Sequence, residues 1–274
     1  MNTDATLLGC TSMVLWKKRI TEAVRLVSRA GFDTIEIWAD HLFRTEENPA
    51  EIRAILDGTG IRCTVHCPII DVNICSMNRV IAETSLELYL RSLELAKELG
   101  SLMFVFHAGN LFSVFDPLPE YWKKLERALL RVLETNSSDL LVVVENMEVD
   151  KPEEVVKTGE DLIRLLELSA SWEMGICWDL THLLNTENNI GFLETIPRVD
   201  HVHLSDCLYH EGDPAHKHLR IGEGNLDLSR LLQQPAGRKA LIASLETVMI
   251  DPGLDDLISE RKRMTELLEP RAEE

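Results

Sequence analysis

Short aliphatic runs alternate with longer amphipathic segments along the chain. The runs are four to eight residues long, rich in Val, Ile and Leu, and apolar at nearly every position. Runs of this length and composition are typical of strands that are buried on both faces of a parallel sheet. Strands are predicted at Thr6–Cys10, Thr34–Trp38, Arg62–His66, Leu102–His107, Leu140–Glu145, Met174–Asp179, Val202–Ser205 and Ala240–Thr247.

Each run is followed by a segment with the apolar spacing of a helix. Proline just inside a helix start and glycine just past a helix end are the usual punctuation, as at Pro49 and Gly100. Helices are predicted near Ile20–Ala30, from Pro49, at Arg79–Leu99, from Pro117, at Glu160–Leu168, near Gly191–Ile196 and Leu228–Gln234, and from Leu254. Eight strand–helix units close into a barrel more naturally than they spread into an open sheet. We therefore expect an α/β protein with a single (β/α)8 TIM barrel over residues 1–268 and a frayed tail at 269–274.

The composition and net charge argue against two classes of partner, nucleic acids and membranes. The 274 residues carry a formal net charge of −18 with a pI near 4.9, which argues against the broad basic surface of a nucleic-acid-binding protein. No run reaches the roughly 18 apolar residues of a membrane span, and the start of the chain lacks the basic region of a secretory signal. The six cysteines form no CxxC pair and are expected to be free and buried. A cytoplasmic protein without a membrane partner is expected.

Ionisable residues recur where the predicted strands end. In a barrel of this kind the carboxyl ends of the strands meet at one mouth, where the reactive groups gather. The residues concerned are His66, His107, Glu145, Asp179 with His182, His203 with Asp206, and Glu246. Each alone has an ordinary structural explanation, such as a hydrogen-bonded core histidine or a capping acid. As a set they predict a site for a divalent cation, because clustered buried carboxylates repel one another unless a cation neutralises them.

The segment after the seventh run adds further candidates. His216 and His218 flank Lys217, and Arg220 precedes the turn Gly222-Glu223-Gly224. The two glycines allow a tight backbone path close to a ligand. His201, by contrast, begins its strand and is interpreted as structural, and His41 and His210 are interpreted as loop residues without a distinguishing context.

The stretches VENME, WDLTH, VHLSD, HLRIGEGNLD and SLET together resemble the xylose-isomerase-like barrel superfamily, which includes sugar isomerases and epimerases and the endonuclease IV-type AP endonucleases. The resemblance to the sugar branch implies one metal held by Glu145, Asp179, His203 and Glu246, and a substrate contact from His182. It matches Arg220 more loosely to a substrate-binding arginine. Resemblance to the endonuclease branch implies a three-metal cluster with His66, His107, His182 and His218 as further ligands. This chain departs from that branch at His216, where the family has an aspartate.

Two enzyme functions follow from this resemblance. The first is a sugar or sugar-phosphate isomerase or epimerase that acts through a metal-stabilised enediolate, with Glu145 and Glu246 as the two bases. The alternative is an endonuclease IV-like multi-metal phosphodiesterase acting on abasic DNA or another phosphoester, and a barrel that binds a small molecule without turning it over is a third class. The expected cofactor is one to three divalent ions (Mn, Zn, Co or Mg), with His216 as a further possible ligand. The substrate is expected to contact His182, Arg220, Trp38, His66 and His107, and a homo-oligomer is possible.

Overall fold

Eight parallel strands close on themselves in the computed structural model, which describes residues 6–136, 140–237 and 240–269. The barrel strands are β1 (Leu7–Thr11), β2 (Thr34–Trp38), β3 (Arg62–His66), β4 (Met103–Phe106), β5 (Leu141–Glu145), β6 (Met174–Asp179), β7 (His201–Leu204) and, after a two-stranded excursion, β10 (Ile242–Leu245). They follow one another around the barrel in chain order, and β10 pairs with β1. The predicted TIM barrel is therefore confirmed.

Helices surround the barrel and cover the outer side of its strands. Over the described residues they are α1 (Ile20–Arg29), α2 (Ala39–Thr45), α3 (Pro49–Thr59), α4 (Arg79–Leu99), α5 (Leu118–Thr135), α6 (Gly159–Leu168), α7 (Thr186–Thr195), α8 (Leu228–Leu232) and α9 (Leu254–Leu268). Within those same ranges, none has the length and apolarity needed to cross a lipid bilayer. The tail predicted at 269–274 lies, apart from Glu269, outside the described residues.

Helix boundaries follow local capping chemistry. Gly60 and Gly100 end α3 and α4 in the left-handed conformation, as was predicted for Gly100. The helix predicted near Gly191–Ile196 instead begins at Thr186, because the Asn185 side chain accepts a hydrogen bond from the Asn188 backbone and caps it there. The short α2, which directly follows β2, was not predicted.

The barrel interior is apolar at its amino-terminal end and polar towards its mouth. Side chains alternate between the interior and the helices along each strand, so that every second residue faces inward. An apolar cluster, separate from the main core, fills the base and consists of Met103, Val105, Val143, Cys177 and Ile242. Above this cluster the inward-facing side chains are mostly carboxylates, imidazoles and hydroxyls. All six cysteines fall in the described ranges and are free and buried, as predicted.

A hairpin interrupts the strand–helix alternation after β7. It is built from β8 (Asp206–Leu208) and β9 (His216–Leu219), in the segment that the sequence analysis treats as a loop. The Asp206 carboxylate anchors it, because Oδ2 accepts the backbone N–H groups of Gly222 and Gly224 at 3.0 Å each. The Gly-Glu-Gly turn therefore wraps around a carboxylate of its own chain, rather than around a ligand as predicted.

The second of these glycines has no room for a side chain. A Cβ at Gly224 would lie 2.3 Å from Asp206 Oδ1 and 2.4 Å from the carbonyl oxygen of Cys207. The Cβ of Gly191, on the exposed side of α7, would meet nothing within 4 Å.

Gly224→Ala is expected to lower the free energy of unfolding by about 1–3 kcal/mol, because the added methyl overpacks the turn. The matched control Gly191→Ala is expected to raise it by about 0.5–1 kcal/mol, since alanine favours a helix interior. Urea denaturation followed by circular dichroism measures both changes. Equal effects of the two substitutions would contradict the tight approach at Asp206.

Candidate metal centre

Glu145 lies at the end of β5 and is the hub of the polar cluster at the mouth. Its Oε2 is 3.2 Å from Nε2 of His66 and 3.0 Å from Nε2 of His107. Its Oε1 is 3.2 Å from Nδ1 of His203. Adjacent parallel strands end at the same level, which is why residues far apart in sequence converge on a single carboxylate.

Asp179 and His182 form a second part of the cluster at the end of β6. The Thr181 hydroxyl and the backbone N–H groups of Thr181 and His182 all donate to Asp179 Oδ1, at 2.8, 2.7 and 3.1 Å. The other oxygen, Oδ2, is buried without a hydrogen-bond partner among the described residues. It lies 4.0 Å from Nε2 of His182 and 4.0 Å from Nδ1 of both His203 and His218. The turn thus aims one free oxygen at three imidazoles.

Glu246 completes the cluster from the end of β10. Its Oε2 lies 2.7 Å from Nδ1 of His203, but the two groups are not aligned as a hydrogen bond, so Oε2 is also left without a partner among the residues described. The Glu246 side chain is 11% exposed, whereas that of Glu145 is 2% exposed. Glu246 is therefore the more accessible carboxylate.

Backbone carbonyls set the orientation of two of the histidines. Nδ1 of His66 lies 2.7 Å from the carbonyl oxygen of Cys67, and Nδ1 of His182 lies 2.7 Å from that of Asn146. A carbonyl oxygen only accepts, so each Nδ1 carries a proton and Nε2 is the ring nitrogen that faces the carboxylates. A lone pair facing a carboxylate oxygen is repelled unless a proton or a cation lies between them.

The donor set fits a divalent ion. Sets of three ligand atoms lie within 4.8 Å of one another in His66–His107–Glu145, in Glu145–Asp179–His203 and in Asp179–His182–His218. Mixed imidazole nitrogen and carboxylate oxygen suit Zn²⁺, Mn²⁺ or a similar ion. Asp179 Oδ2 and Glu246 Oε2 have no hydrogen-bond partner among the described residues, so their lone pairs are available to coordinate such an ion.

Of the remaining predicted site residues, the structure brings some to the cluster and not others. Trp38 lies beside it, stacked on His66 with ring centroids 4.6 Å apart. His216 is exposed on β9, and no described donor set includes it. The Arg220 guanidinium bonds Glu260 at 2.7 Å and Asp256 at 3.4 Å in α9, so the structure gives no support to its predicted contact with substrate.

His218 reaches the cluster through an unusual backbone conformation. Its φ is +55°, in the left-handed region that residues other than glycine seldom adopt. Its Nδ1 lies 3.4 Å from the Ser205 hydroxyl as well as near Asp179. Strain of this kind is often stored at functional sites.

Two polar residues that support the cluster, Asn146 and Glu36, were not predicted from the sequence. Asn146 ties β5 to β6: its side chain donates to the carbonyl of Asp179 at 3.1 Å and accepts from that residue's N–H at 2.9 Å. Glu36 is fully buried in β2, with Oε1 3.1 Å from Nε2 of His203. An acid within the apolar run TIEIW was the available signal for Glu36.

The pKa values follow from burial and from the facing charges. Burial alone would lower the pKa of His182, but the charges of Asp179 and Glu145 outweigh it and raise the pKa. The pKa values of His66 and His203 are likewise raised well above the usual range against the effect of burial, by contacts that include Glu145. Burial also opposes ionisation of Glu145, yet His203 and His107 hold its pKa well below the usual range. His201 differs, because burial lowers its pKa to about 4, which fits its interpretation as structural.

Comparisons with known proteins place these residues in a family context. The family model described as xylose isomerase-like TIM barrel matches residues 24–257. An uncharacterised protein of Methanocaldococcus jannaschii is 25% identical over 246 residues, which cover 82% of this chain and 78% of that protein. A probable endonuclease 4 of Mesomycoplasma hyopneumoniae is 25% identical over 177 residues, which cover 61% of this chain and 62% of that protein. The crystal structure of a D-tagatose 3-epimerase-like protein superposes with a TM-score of 0.78 at 24% identity, covering 96% of this chain and 97% of that one.

Metal binding is expected to release protons, because the pKa values of His66 and His203 are raised well above the usual range and favour their protonated forms when no cation is present. Adding Zn²⁺ to chelator-treated protein in weak buffer, with a pH-indicator dye, measures the release. The number of protons per ion should fall as the pH rises through the raised pKa values. The exposed-histidine variant His210→Gln should release as many protons as the wild type, and binding without proton release would contradict the assignment.

Proposed function

The chain belongs to the xylose isomerase-like TIM barrel family, and from this premise we propose that it is a divalent-metal-dependent isomerase or epimerase of sugars. The observation that carries the proposal is the placement of two carboxylates around one imidazole nitrogen: Nδ1 of His203 lies 3.2 Å from Glu145 and 2.7 Å from Glu246. Two carboxylates that share a cation site can remove a proton from a substrate carbon and return one, to the opposite face of that carbon in an epimerase or to the adjacent carbon in an isomerase.

Glu145 and Glu246 differ in how exposed they are and in whether both of their oxygens have partners. Glu145 is surrounded by His66, His107 and His203, and its low pKa keeps it ionised. Glu246 is more exposed and has an oxygen without a hydrogen-bond partner among the described residues. We therefore assign to Glu246 the removal of the proton next to the substrate carbonyl, which Glu246 then releases to solvent. Glu145 holds the centre and acts as the second base: it returns to the substrate a proton that it takes from protonated His66, whose Nε2 lies 3.2 Å from Glu145 Oε2.

A divalent ion held by Glu145, Asp179, His203 and Glu246 would polarise the substrate carbonyl and offset the negative charge of the enediolate. The surrounding side chains orient the substrate. His182 has its Nδ1 committed to Asn146, which leaves Nε2 for a substrate hydroxyl or a ligand role. Trp38, stacked on His66, forms an apolar wall on which a sugar ring can lie.

Ion pairing near the mouth favours an unphosphorylated sugar. Lys217 and Arg220 are the cations that the sequence offers for reading a phosphate. Lys217 is held by Asp150 at 2.5 Å, and Arg220 by Glu260 at 2.7 Å. A phosphate would have to displace a carboxylate from either of them. The likeness to a D-tagatose 3-epimerase-like structure agrees with a free sugar as substrate, although at 24% identity it establishes only the fold.

Glu246→Gln is expected to slow proton exchange at the substrate carbon next to the carbonyl by roughly 10²–10⁴-fold, the usual contribution of a general base. The measurement is deuterium wash-in by NMR in D₂O with Mn²⁺- or Co²⁺-loaded protein, over a panel of free ketoses that includes D-tagatose and L-ribulose. The matched control is Glu260→Gln, a buried glutamate in α9, which should exchange like the wild type. If the wild-type protein catalyses proton exchange with none of these ketoses, the proposal is contradicted.

A second candidate is a multi-metal phosphodiesterase, and one observation favours it. Three of the donor sets overlap by sharing Glu145 and Asp179, and they use His66, His107, His182 and His218 in addition to Glu145, Asp179 and His203. The likeness to a probable endonuclease 4 agrees with this arrangement, over 62% of that protein. The net charge of −18 and the exposed His216 argue against it, since contacts to DNA phosphates usually come from Lys and Arg.

Metal stoichiometry separates the two candidates. We expect elemental analysis of the purified protein to find about one ion per chain, because the four proposed ligands of an epimerase, Glu145, Asp179, His203 and Glu246, hold a single ion. The same preparation should fail to cleave a duplex that contains an abasic site. Close to three ions per chain together with cleavage of that duplex would reverse the order of the two proposals.

A further inference from the structure

Glu36 is a buried carboxylate below the metal-donor cluster, in the middle of β2. Its Oε2 accepts a hydrogen bond from the Thr64 hydroxyl at 3.1 Å and lies 3.4 Å from Nε2 of His201. Its Oε1 lies 3.1 Å from Nε2 of His203. All four side chains are fully buried. An ionised carboxylate in such a place costs several kcal/mol unless its neighbours compensate for the lost water.

The compensation has to come from the imidazoles. Over the described ranges, the ion-pair partners of Glu36 within 4.0 Å are His201 and His203. His201 is already engaged by the Ser244 hydroxyl at 2.9 Å, and burial keeps its pKa low. His203 is therefore the ring that can carry positive charge or donate a polarised N–H to Glu36.

The ring of His203 spans two environments. On one side Nδ1 faces the donor cluster, with Glu145 at 3.2 Å and Glu246 at 2.7 Å. On the other side Nε2 faces Glu36. An imidazole that binds a cation through one nitrogen carries its proton on the other, and that proton needs an acceptor.

Neither of the two facing atoms, Nε2 of His203 and Oε1 of Glu36, has another hydrogen-bond partner among the described residues, and both are buried. They are a donor and an acceptor 3.1 Å apart, and a small rotation of either group aligns them. Thr64 holds the other oxygen of Glu36, so the carboxylate is braced from the side opposite His203.

We propose that Glu36 is a positioning residue that holds the ring of His203 with Nδ1 directed at the metal centre. This inference rests on the metal centre of the proposed function. Glu36 touches neither the ion nor the substrate in this assignment. It accepts the Nε2 proton, which fixes the tautomer of His203, and its charge increases the basicity of Nδ1 as a ligand.

The test compares Glu36→Leu, which removes the acceptor, with Glu36→Gln, which keeps an acceptor oxygen and removes the charge. Affinity for Zn²⁺ and Mn²⁺ is measured by competition with a chelator, and the orientation of His203 by crystal structures of the metal-free variants. Glu260→Gln is the matched control, since it removes the charge of another fully buried glutamate in α9.

We expect Glu36→Leu to weaken metal binding by roughly 10–100-fold, the usual cost of losing such a partner, and to turn the His203 ring away from its wild-type orientation. Glu36→Gln should retain the orientation and weaken binding by less. Glu260→Gln should change neither, even if it lowers the melting temperature.

Either an unchanged ring or an unchanged affinity in Glu36→Leu overturns the inference. If Glu36→Leu does not fold, Glu36→Gln decides: affinity equal to that of Glu260→Gln overturns the role of the charge on which the proposal depends. If the wild type binds no divalent ion, the proposed function fails, and the ring orientation alone then decides whether Glu36 positions His203.

Discussion

The structure depends on the burial of carboxylates together with imidazoles at the mouth of a parallel barrel. The side chains of Glu145 and Asp179 are almost fully buried and that of Glu246 is 11% exposed, and over the described residues their facing partners are imidazole nitrogens rather than Lys or Arg side chains. Such a cluster is stable only if positive charge lies among the carboxylates. Protons on the histidines supply it in the metal-free protein, and a divalent cation supplies it more effectively. The same requirement that allows the barrel to fold around these groups therefore prepares it to bind a metal.

Contacts on the far side of each histidine ring determine which of its two nitrogens faces the centre. The carbonyls of Cys67 and Asn146 take the Nδ1 protons of His66 and His182, so that both rings present Nε2. His203 faces the centre with Nδ1 instead, and Glu36 lies behind its Nε2. Carbonyls and carboxylates that hold ligands from behind keep the donor set in place before a cation arrives, which lowers the ordering cost of binding.

The hairpin after β7 shows how a barrel of this family can be adapted. It delivers His218 to the cluster at the expense of a left-handed backbone, while Asp206 and the two glycines of the adjoining turn brace its base. Because His216 is left exposed, the donors on this side are fewer than the sequence suggests. The hairpin thus adds His218 to the candidate donor sets, whereas no donor set of the described residues includes His216.

The sequence by itself determined the fold and most of the centre. Eight aliphatic runs with capped helices between them indicate a parallel sheet that is covered on both faces, and eight such units close into a barrel more naturally than they spread into an open sheet. Since the carboxyl ends of such strands meet, His66, His107, Glu145, Asp179, His203 and Glu246 were predicted to converge from their places in the runs. Only the tertiary structure decided the orientation of side chains outside the strands and the pairing of groups across the barrel. It directed Arg220 to α9, turned the glycines towards Asp206 and placed Glu36 behind His203. These contacts join residues 16 to 167 positions apart, as from Gly222 to Asp206 and from His203 to Glu36, and they depend on barrel register and loop path, which local sequence patterns do not encode.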